Sequence, residues 1–253
     1  TTIVADITSA DDITINDSVI ISGNRILTSG GGVGNNISIT GTINDTIAGT
    51  DTLTLTAVAG NVTLGDSVGT SAALNSLTIT STGVTTLNNS IITTGGDINL
   101  NGATNVQLAS DVSLRSTTNN VLLYAVNGAF DLTVYAGTDI TINALGGIGA
   151  TNASHDISMT AAGGNINVNA GITSTGAVNL TTAVGNINLA ANVIGNGDTF
   201  NAAGINDVTA IQNNSAGATT FNGATTLAAN VTALNTLTFN GAVTLSTAAR
   251  TVT

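Results

Sequence analysis

The chain contains no cysteine, proline or tryptophan, and neither lysine nor glutamate. Without cysteine there is no disulfide framework and no thiolate metal site, which leaves the redox compartment open. The cations are Arg25, Arg115 and Arg250; fourteen aspartates oppose them, giving a net charge of −11 with the single histidine, His155, neutral. These acids are scattered, so phosphate backbones and anionic lipid surfaces are repelled, and nucleic acid is not an expected partner. Aromatic residues make up 2% and charged residues 7% of the 253 positions, which removes the parts of most active sites. Asn, Thr, Gly or Asp interrupts every apolar stretch well short of the roughly 18 residues needed to span a bilayer, so no membrane insertion is expected. The N-terminus, from Thr1, carries neither a basic region nor an apolar export segment. Either an export signal has been removed, or the chain is a segment or subunit of something longer.

What is present argues for order. Apolar residues are 42% of the chain and mean hydropathy is +0.38, whereas disorder needs low hydropathy and high charge. One phrase recurs throughout: Asp, Asn or another small residue, followed by an apolar, polar, apolar triplet. Asp12-Ile13-Thr14-Ile15, Asn61-Val62-Thr63-Leu64, Asp139-Ile140-Thr141-Ile142 and Asn186-Ile187-Asn188-Leu189 are instances. A period of two with β-branched residues and Leu, bounded by Gly, Asn and Asp, predicts short strands with one buried face. No helical stripe persists for three turns, so the chain reads as all-β.

The longer spacing selects the architecture. Ile157 to Val178, Ile166 to Ile187, Ile187 to Val208, Phe200 to Phe221 and Leu77 to Ile98 all repeat one interval, of about 21 residues. Near the C-terminus Phe221-Asn222-Gly223-Ala224 returns after a somewhat shorter interval as Phe239-Asn240-Gly241-Ala242. A sandwich or barrel would join longer strands by hairpins. A parallel β-solenoid stacks like residues of successive coils at about 4.8 Å, where aliphatic ladders and Asn/Thr ladders are favoured, like charges repel, and Pro would remove a ladder hydrogen bond. The reading is a right-handed parallel β-helix of about 20 residues per coil and about 12 coils, a rod of about 60 Å. It forms a single domain, 1–253. Residues 24–36, with Gly30-Gly31-Gly32, and 145–155, with Gly146-Gly147, read as loops bulging from the rod.

The phrases Gly96-Asp97-Ile98-Asn99-Leu100, Gly164-Asn165-Ile166-Asn167-Val168 and Gly185-Asn186-Ile187-Asn188-Leu189, with the two Phe-Asn-Gly-Ala units, resemble the β-strand repeats of filamentous-haemagglutinin-like proteins. These are the large exported bacterial adhesins of two-partner-secretion and autotransporter type. The resemblance implies an extracellular, cell-surface location and a fibrous stalk or surface filament.

Candidate sites are few. Asp11, Asp12 and Asp17 form the one dense acidic group, with Arg25 nearest, and read as turn residues or as a metal site, the two equally, more readily than as the paired carboxylates of a glycan-active enzyme. His155-Asp156 invites a general-base reading, yet adjacent strand residues face opposite sides, so a solvent-exposed loop histidine is expected. Seven aspartates precede triplets: Asp12, Asp97, Asp111, Asp131, Asp139, Asp156 and Asp207. They are weak candidates for calcium, which would relieve the repulsion of stacked carboxylates, against the reading as solvated turn residues. Nine Asn-x-Ser/Thr sites occur, including Asn16, Asn61, Asn179 and Asn230, a number that chance largely explains in this composition. Tyr124 and Tyr135, half an interval apart, could form a sugar-stacking pair on neighbouring strands or fill a groove beside a loop.

The ends carry the functional expectation. Thr1, Thr2, Ile3 and Val4 at one end and Val243, Leu245 and Val252 at the other are strand-like without a capping helix or Pro, whereas monomeric solenoids protect such edges. Axial continuation or stacking of copies is therefore expected. The chain reads as a structural, non-catalytic part of an extracellular filament or adhesin stalk, without cofactors. The alternatives are a polysaccharide-active lyase or hydrolase and a glycan-binding adhesin tip, with host or surface glycans as partners.

Overall fold

The computed structural model describes residues 1–31, 34–209, 212–213, 217–246 and 251–252, so Arg250 and Gly32 lie outside the described residues. Among the described residues there is no helix, and every strand pairing is parallel. Pairing joins each strand to its counterpart one coil away, which defines a β-solenoid with three walls.

Eleven successive pairings carry the first wall from Thr2–Ile3 through Val19–Ile21, Ile43–Asp45, Val68, Ile91–Thr93, Val112–Ser116, Leu132–Ala136, Ile157–Ala161 and Val178–Thr182 to Leu237–Phe239. The second wall contains Thr52–Ala57, Ile166–Val168 and Ile187–Leu189, and the third contains Ile13–Ile15, Ile37–Ile39 and Val62–Leu64. Some strands round a corner. Ser76–Leu87 pairs with Thr52–Ala57 on the second wall and with Val62–Leu64 on the third.

The chain makes about eleven turns where about twelve are expected from sequence, because the average coil is a little longer than about 20 residues. Steps along the first wall are unequal: the one from Ile3 to Ile21 is short, and the one from Ile43 to Val68 is long. Of the pairs that share the long sequence interval, Ile157 lies on Val178, Ile166 on Ile187, Phe200 on Phe221 and Leu77 on Ile98. The fifth slips: Ile187 pairs with Asn206, and Val208 pairs with Leu189. That coil is shorter by two positions and places Asn206 inward where earlier coils place an aliphatic residue.

Alternation within each triplet turns the apolar residues inward. Leu114, Val134, Met159, Leu180, Phe200 and Phe221 form one buried file, and Leu123, Ile142, Val168, Leu189, Val208 and Leu227 another. Each fully buried member contributes about 1.5–3 kcal/mol of transfer free energy. Phe200, Phe221 and Phe239 stack with ring centroids 4.9 and 5.2 Å apart, close to the coil repeat of about 4.8 Å.

Coils approach so closely that some corners admit only glycine. A Cβ at Gly146 would lie 1.7 Å from the Tyr124 carbonyl oxygen one coil below. The bulge expected at 145–155 is accordingly smaller: strand Ile140–Ile148 runs through its first part, and only the residues after it leave the wall.

Leu189→Ala, which empties a fully buried position between Val168 and Val208, is expected to cost about 2–5 kcal/mol. Asn188→Thr, on the outward face of the same strand, should cost less than about 1 kcal/mol. Urea denaturation of the two variants measures the contrast.

Candidate functional site

At many corners the residue before the triplet has a structural task that the sequence pattern alone does not reveal. Its side-chain oxygen accepts the backbone N–H of the equivalent turn one coil further on. At the corner before the third wall, Asp12 Oδ1 accepts from Asn36 N (2.7 Å), Asn36 Oδ1 from Asn61 N (2.9 Å) and Asn61 Oδ1 from Val84 N (2.7 Å). Before the second wall the series runs Asp97, Asn120, Asp139, Asn165, Asn186, ending at Ile205 N, with distances of 2.6–3.1 Å. Before the first wall Asp111 Oδ1 accepts from Asp131 N (3.0 Å), Asp131 Oδ1 from Asp156 N (3.0 Å) and Asp156 Oδ1 from Ala177 N (2.8 Å). Corner amides fall between strands and need an acceptor; Asp and Asn side chains are short enough to supply one without leaving the coil spacing. Within these three series every link points the same way, from the side chain of one coil to the amide of its successor; the sense reverses where Val178 N donates to Asp198 Oδ1 (3.3 Å) and Gly23 N to Asp51 Oδ2 (2.7 Å).

Six of the seven candidate cation ligands thus each spend one oxygen on an amide. The seventh, Asp207, does not sit at a turn. It lies within strand Asp198–Val208, aligned with Asn188 and Thr226. The inward Asn206 moves the triplet two positions earlier, to Asn206-Asp207-Val208, and puts Asp207 at its outward middle position.

The three series differ in how they place charge. Before the second wall, Asp97 and Asp139 are separated by Asn120, whereas Asp111, Asp131 and Asp156 stack on successive coils. His155 sits at that run. Its Nδ1 lies 2.9 Å from Asp131 Oδ1 in the coil below, so its partner is an acid of the preceding coil, not the adjacent Asp156. The Asp156 amide and the His155 imidazole together hold the Asp131 carboxyl below its ordinary value. The imidazole is raised by the hydrogen bond and charge of Asp131, with help from Asp156. One ligand atom from each of Asp131, His155 and Asp156 lies within 4.8 Å of the others, the one such group among the described residues. This oxygen-rich set with one imidazole is suited to a divalent cation.

Next to these acids the outward face of the first wall carries Ser113 and Thr133, then Arg115 and Tyr135 two positions on. The Arg115 guanidinium carbon stands 5.1 Å from the Tyr135 ring centroid, a cation–π contact. A shallow depression of about 290 Å³ is lined by Ser90, Asp111, Val112, Ser113, Asp131 and Thr133. The wall therefore brings together carboxylates, hydroxyls, one imidazole and one guanidinium from strands of successive coils.

The other expected sites disperse. Tyr124 lies on Val121–Asn127 where that strand turns from the second wall to the third, and Tyr135 on Leu132–Ala136 of the first, because their separation is half a coil. They do not form a pair. Asp17 accepts from Ser18 N and lies 3.6 Å from the Thr1 amine, while Arg25 donates to the Asn24 carbonyl; the Asp11, Asp12 and Asp17 group does not close around a cation. Of the four named Asn-x-Ser/Thr positions, Asn61 and Asn230 are corner acceptors, for Val84 N and Thr251 N. A further buried acid was not singled out by sequence: Asp45. Burial pushes its carboxyl up, but amides of Asp51, Ile47 and Thr50 outweigh that and leave it lowered.

At the first coil, Thr2–Ile3 pairs with the coil above, the Thr1 amine donates to Ser18 O (2.7 Å), and Val4 is exposed. At the last, Leu245 is 55% exposed although Leu227, directly below it, is fully buried; Val252 and Val231 repeat the contrast at 44% and 1%. Val243 is exposed likewise.

Two outcomes follow. Asn165→Ala strips Asn186 N of its acceptor and should cost about 1 kcal/mol, whereas Asn165→Asp keeps an acceptor and should cost less; thermal denaturation compares them. For the ion pair, the raised imidazole contributes fully below pH 6.5 and its contribution is lost as pH rises through its folded pKa, while the lowered carboxyl contributes above 3.8 and is lost as pH falls through its own. The Asp131–His155 link is therefore strongest between those values. NMR titration of the only histidine should give a midpoint above 6.5, falling toward it in Asp131→Asn. No protein-family model, no curated protein and no solved structure matches the chain.

Proposed function

We propose that the chain is a structural, non-catalytic rod that forms part of an extracellular filament or adhesin stalk of an exported bacterial protein. The observation that carries this reading is the unbroken register of coils, with pairings that follow the first wall from Thr2–Ile3 to Leu237–Phe239 without a change of architecture. Backbone hydrogen bonds of all three walls run along the axis, so axial tension loads the three ladders of a coil interface together. Removing one coil from another requires breaking them jointly with the corner acceptors.

The C-terminal coil offers a surface to a second copy. Leu245, Val243 and Val252 are exposed there in files that are buried in the preceding coils, and the first coil of a second copy, in the same register, covers them. The three corner series are directional: their coils offer side-chain acceptors toward the C-terminal face and receive them through amides on the N-terminal face, with reversed bonds only at Asp51 and Asp198 among the described corners. Two C-terminal faces would meet acceptor to acceptor, so head-to-tail is the favoured contact, and a heterologous contact that does not close propagates as a fibre.

A second reading has one observation in its favour. Asp131, Asp156 and His155 stand beside the depression on the first wall, with Arg115 on the neighbouring position of the same face. Paired carboxylates are the machinery of glycoside cleavage, so a polysaccharide-active site belongs there if anywhere on this rod.

Sedimentation velocity over a range of concentrations, with electron microscopy of the largest species, tests the first reading. Head-to-tail rods are expected, and Leu245→Asp should shorten them; a single monomeric species at every concentration defeats axial assembly. With three Arg and no Lys, the folded rod should also outlast its urea-unfolded form under trypsin. Turnover of a polysaccharide that Asp131→Asn abolishes would establish the second reading instead.

A further inference from the structure

The chain contains five Asn-Gly steps, at Asn101, Asn127, Asn196, Asn222 and Asn240. An Asn-Gly step is where an asparagine side chain is most open to attack by the following backbone nitrogen, since glycine offers no side chain to obstruct it. Whether the attack occurs depends on whether the amide is held and whether the glycine N–H is free to approach.

Four of the five are held. Asn101 lies within strand Ile98–Leu108, and its Oδ1 accepts from Asn143 Nδ2 (2.7 Å). Asn127 is 5% exposed; its Oδ1 accepts from Thr151 N and Asn152 N, and Gly128 N donates to Asn152 O (3.1 Å). Asn222 is clamped on both sides, donating to Asn201 Oδ1 and accepting from Asn240 Nδ2 (2.7 Å). Asn240 is tied to Asn222 by that same bond. Asn196 differs on every count. It is exposed at the corner between Val193–Ile194 and Asp198–Val208, and its side chain makes no hydrogen bond among the described residues. Gly197 N likewise donates none among them, and Gly197 has φ of 97°, in the region that favours glycine.

We propose that Asn196 is a site of spontaneous deamidation in the folded protein. The Gly197 backbone nitrogen, losing its proton to solvent base, attacks Asn196 Cγ; a carbon–nitrogen bond forms, and the side-chain nitrogen leaves as ammonia. Water then opens the resulting cyclic imide at either carbonyl, yielding aspartate or isoaspartate. Nothing is oxidised or reduced, and water is the one co-reactant.

The location gives the modification a consequence. Asn196 N donates to Gly176 O of the coil below (2.7 Å), and a Cβ at Gly217 of the coil above would lie 2.0 Å from Gly197 N. Isoaspartate adds one backbone atom at a corner where coils already touch backbone to backbone, and either product places a carboxylate two positions from Asp198, which is 1% exposed. The modified coil therefore loosens against its neighbours, and the rod acquires an age-dependent weak point in its C-terminal third.

Incubation of the folded protein at mildly alkaline pH, followed by peptide mapping with isoaspartate detection, tests the proposal. The expected result is conversion at Asn196 severalfold faster than at the other four steps, with the difference disappearing in urea, where all five become comparable. Gly197→Ala should slow the conversion severalfold; because alanine is strained at this φ, the comparison of folded with unfolded wild-type chain stands independently of that variant. Conversion at Asn101, Asn127, Asn222 or Asn240 matching that at Asn196 in the folded state overturns the assignment, as does an Asn196 rate no greater than that of asparagines not followed by glycine.

Discussion

Vertical register is the constraint on which the molecule depends. Each coil presents its backbone amides and carbonyls to the next at a spacing of about 4.8 Å, and the files of Leu, Ile, Val and Phe bury only because equivalent residues lie over one another. A shift of one position on any wall would turn a whole file outward. Coils differ in length, as the short step from Ile3 to Ile21 and the long one from Ile43 to Val68 show. The files nonetheless stay aligned, because corners and loops absorb the difference while the strands do not.

The corner acceptors explain why the composition is so narrow. Strands satisfy their own amides, but a corner amide faces the next coil with no strand partner, and Asp or Asn supplies the missing oxygen at all three corners. Lys, Glu or a bulky ring at these positions would repel or collide with its copy above. The same requirement accounts for acids that look like cation ligands in the sequence. Where Asn alternates with Asp, the charge is diluted; where Asp111, Asp131 and Asp156 run together, His155 stands against Asp131 and relieves part of the repulsion. That run, with Arg115 and Tyr135 nearby, is the most varied chemistry on the rod, and it arises from a stacking problem before any question of catalysis.

Polar residues also enter the interior in the C-terminal third. Asn206 and Thr225 pair with one another at inward positions held by Ile166 and Ile187 in earlier coils, while Phe200 and Phe221 enlarge the adjacent file. Asn206 finds a partner in the Asn222 carbonyl. The core is thus repacked around larger rings at one corner and smaller polar side chains at the next.

The alternation of the triplets determined the strands, and their recurrence at one long interval determined the solenoid, because both express the geometry of a single residue or a single coil. Pairings such as Ile157 on Val178 were legible for that reason. What lay hidden depended on the local length of each coil, which no periodic average reveals. A shortening by two positions moved Asp207 from a turn to a strand, half a coil separated Tyr124 from Tyr135, and one lengthened coil brought His155 over Asp131. Side chains meet across coils at separations set by corners, so only the tertiary structure decided which acids stack, which one meets the histidine, and which asparagine is left unheld.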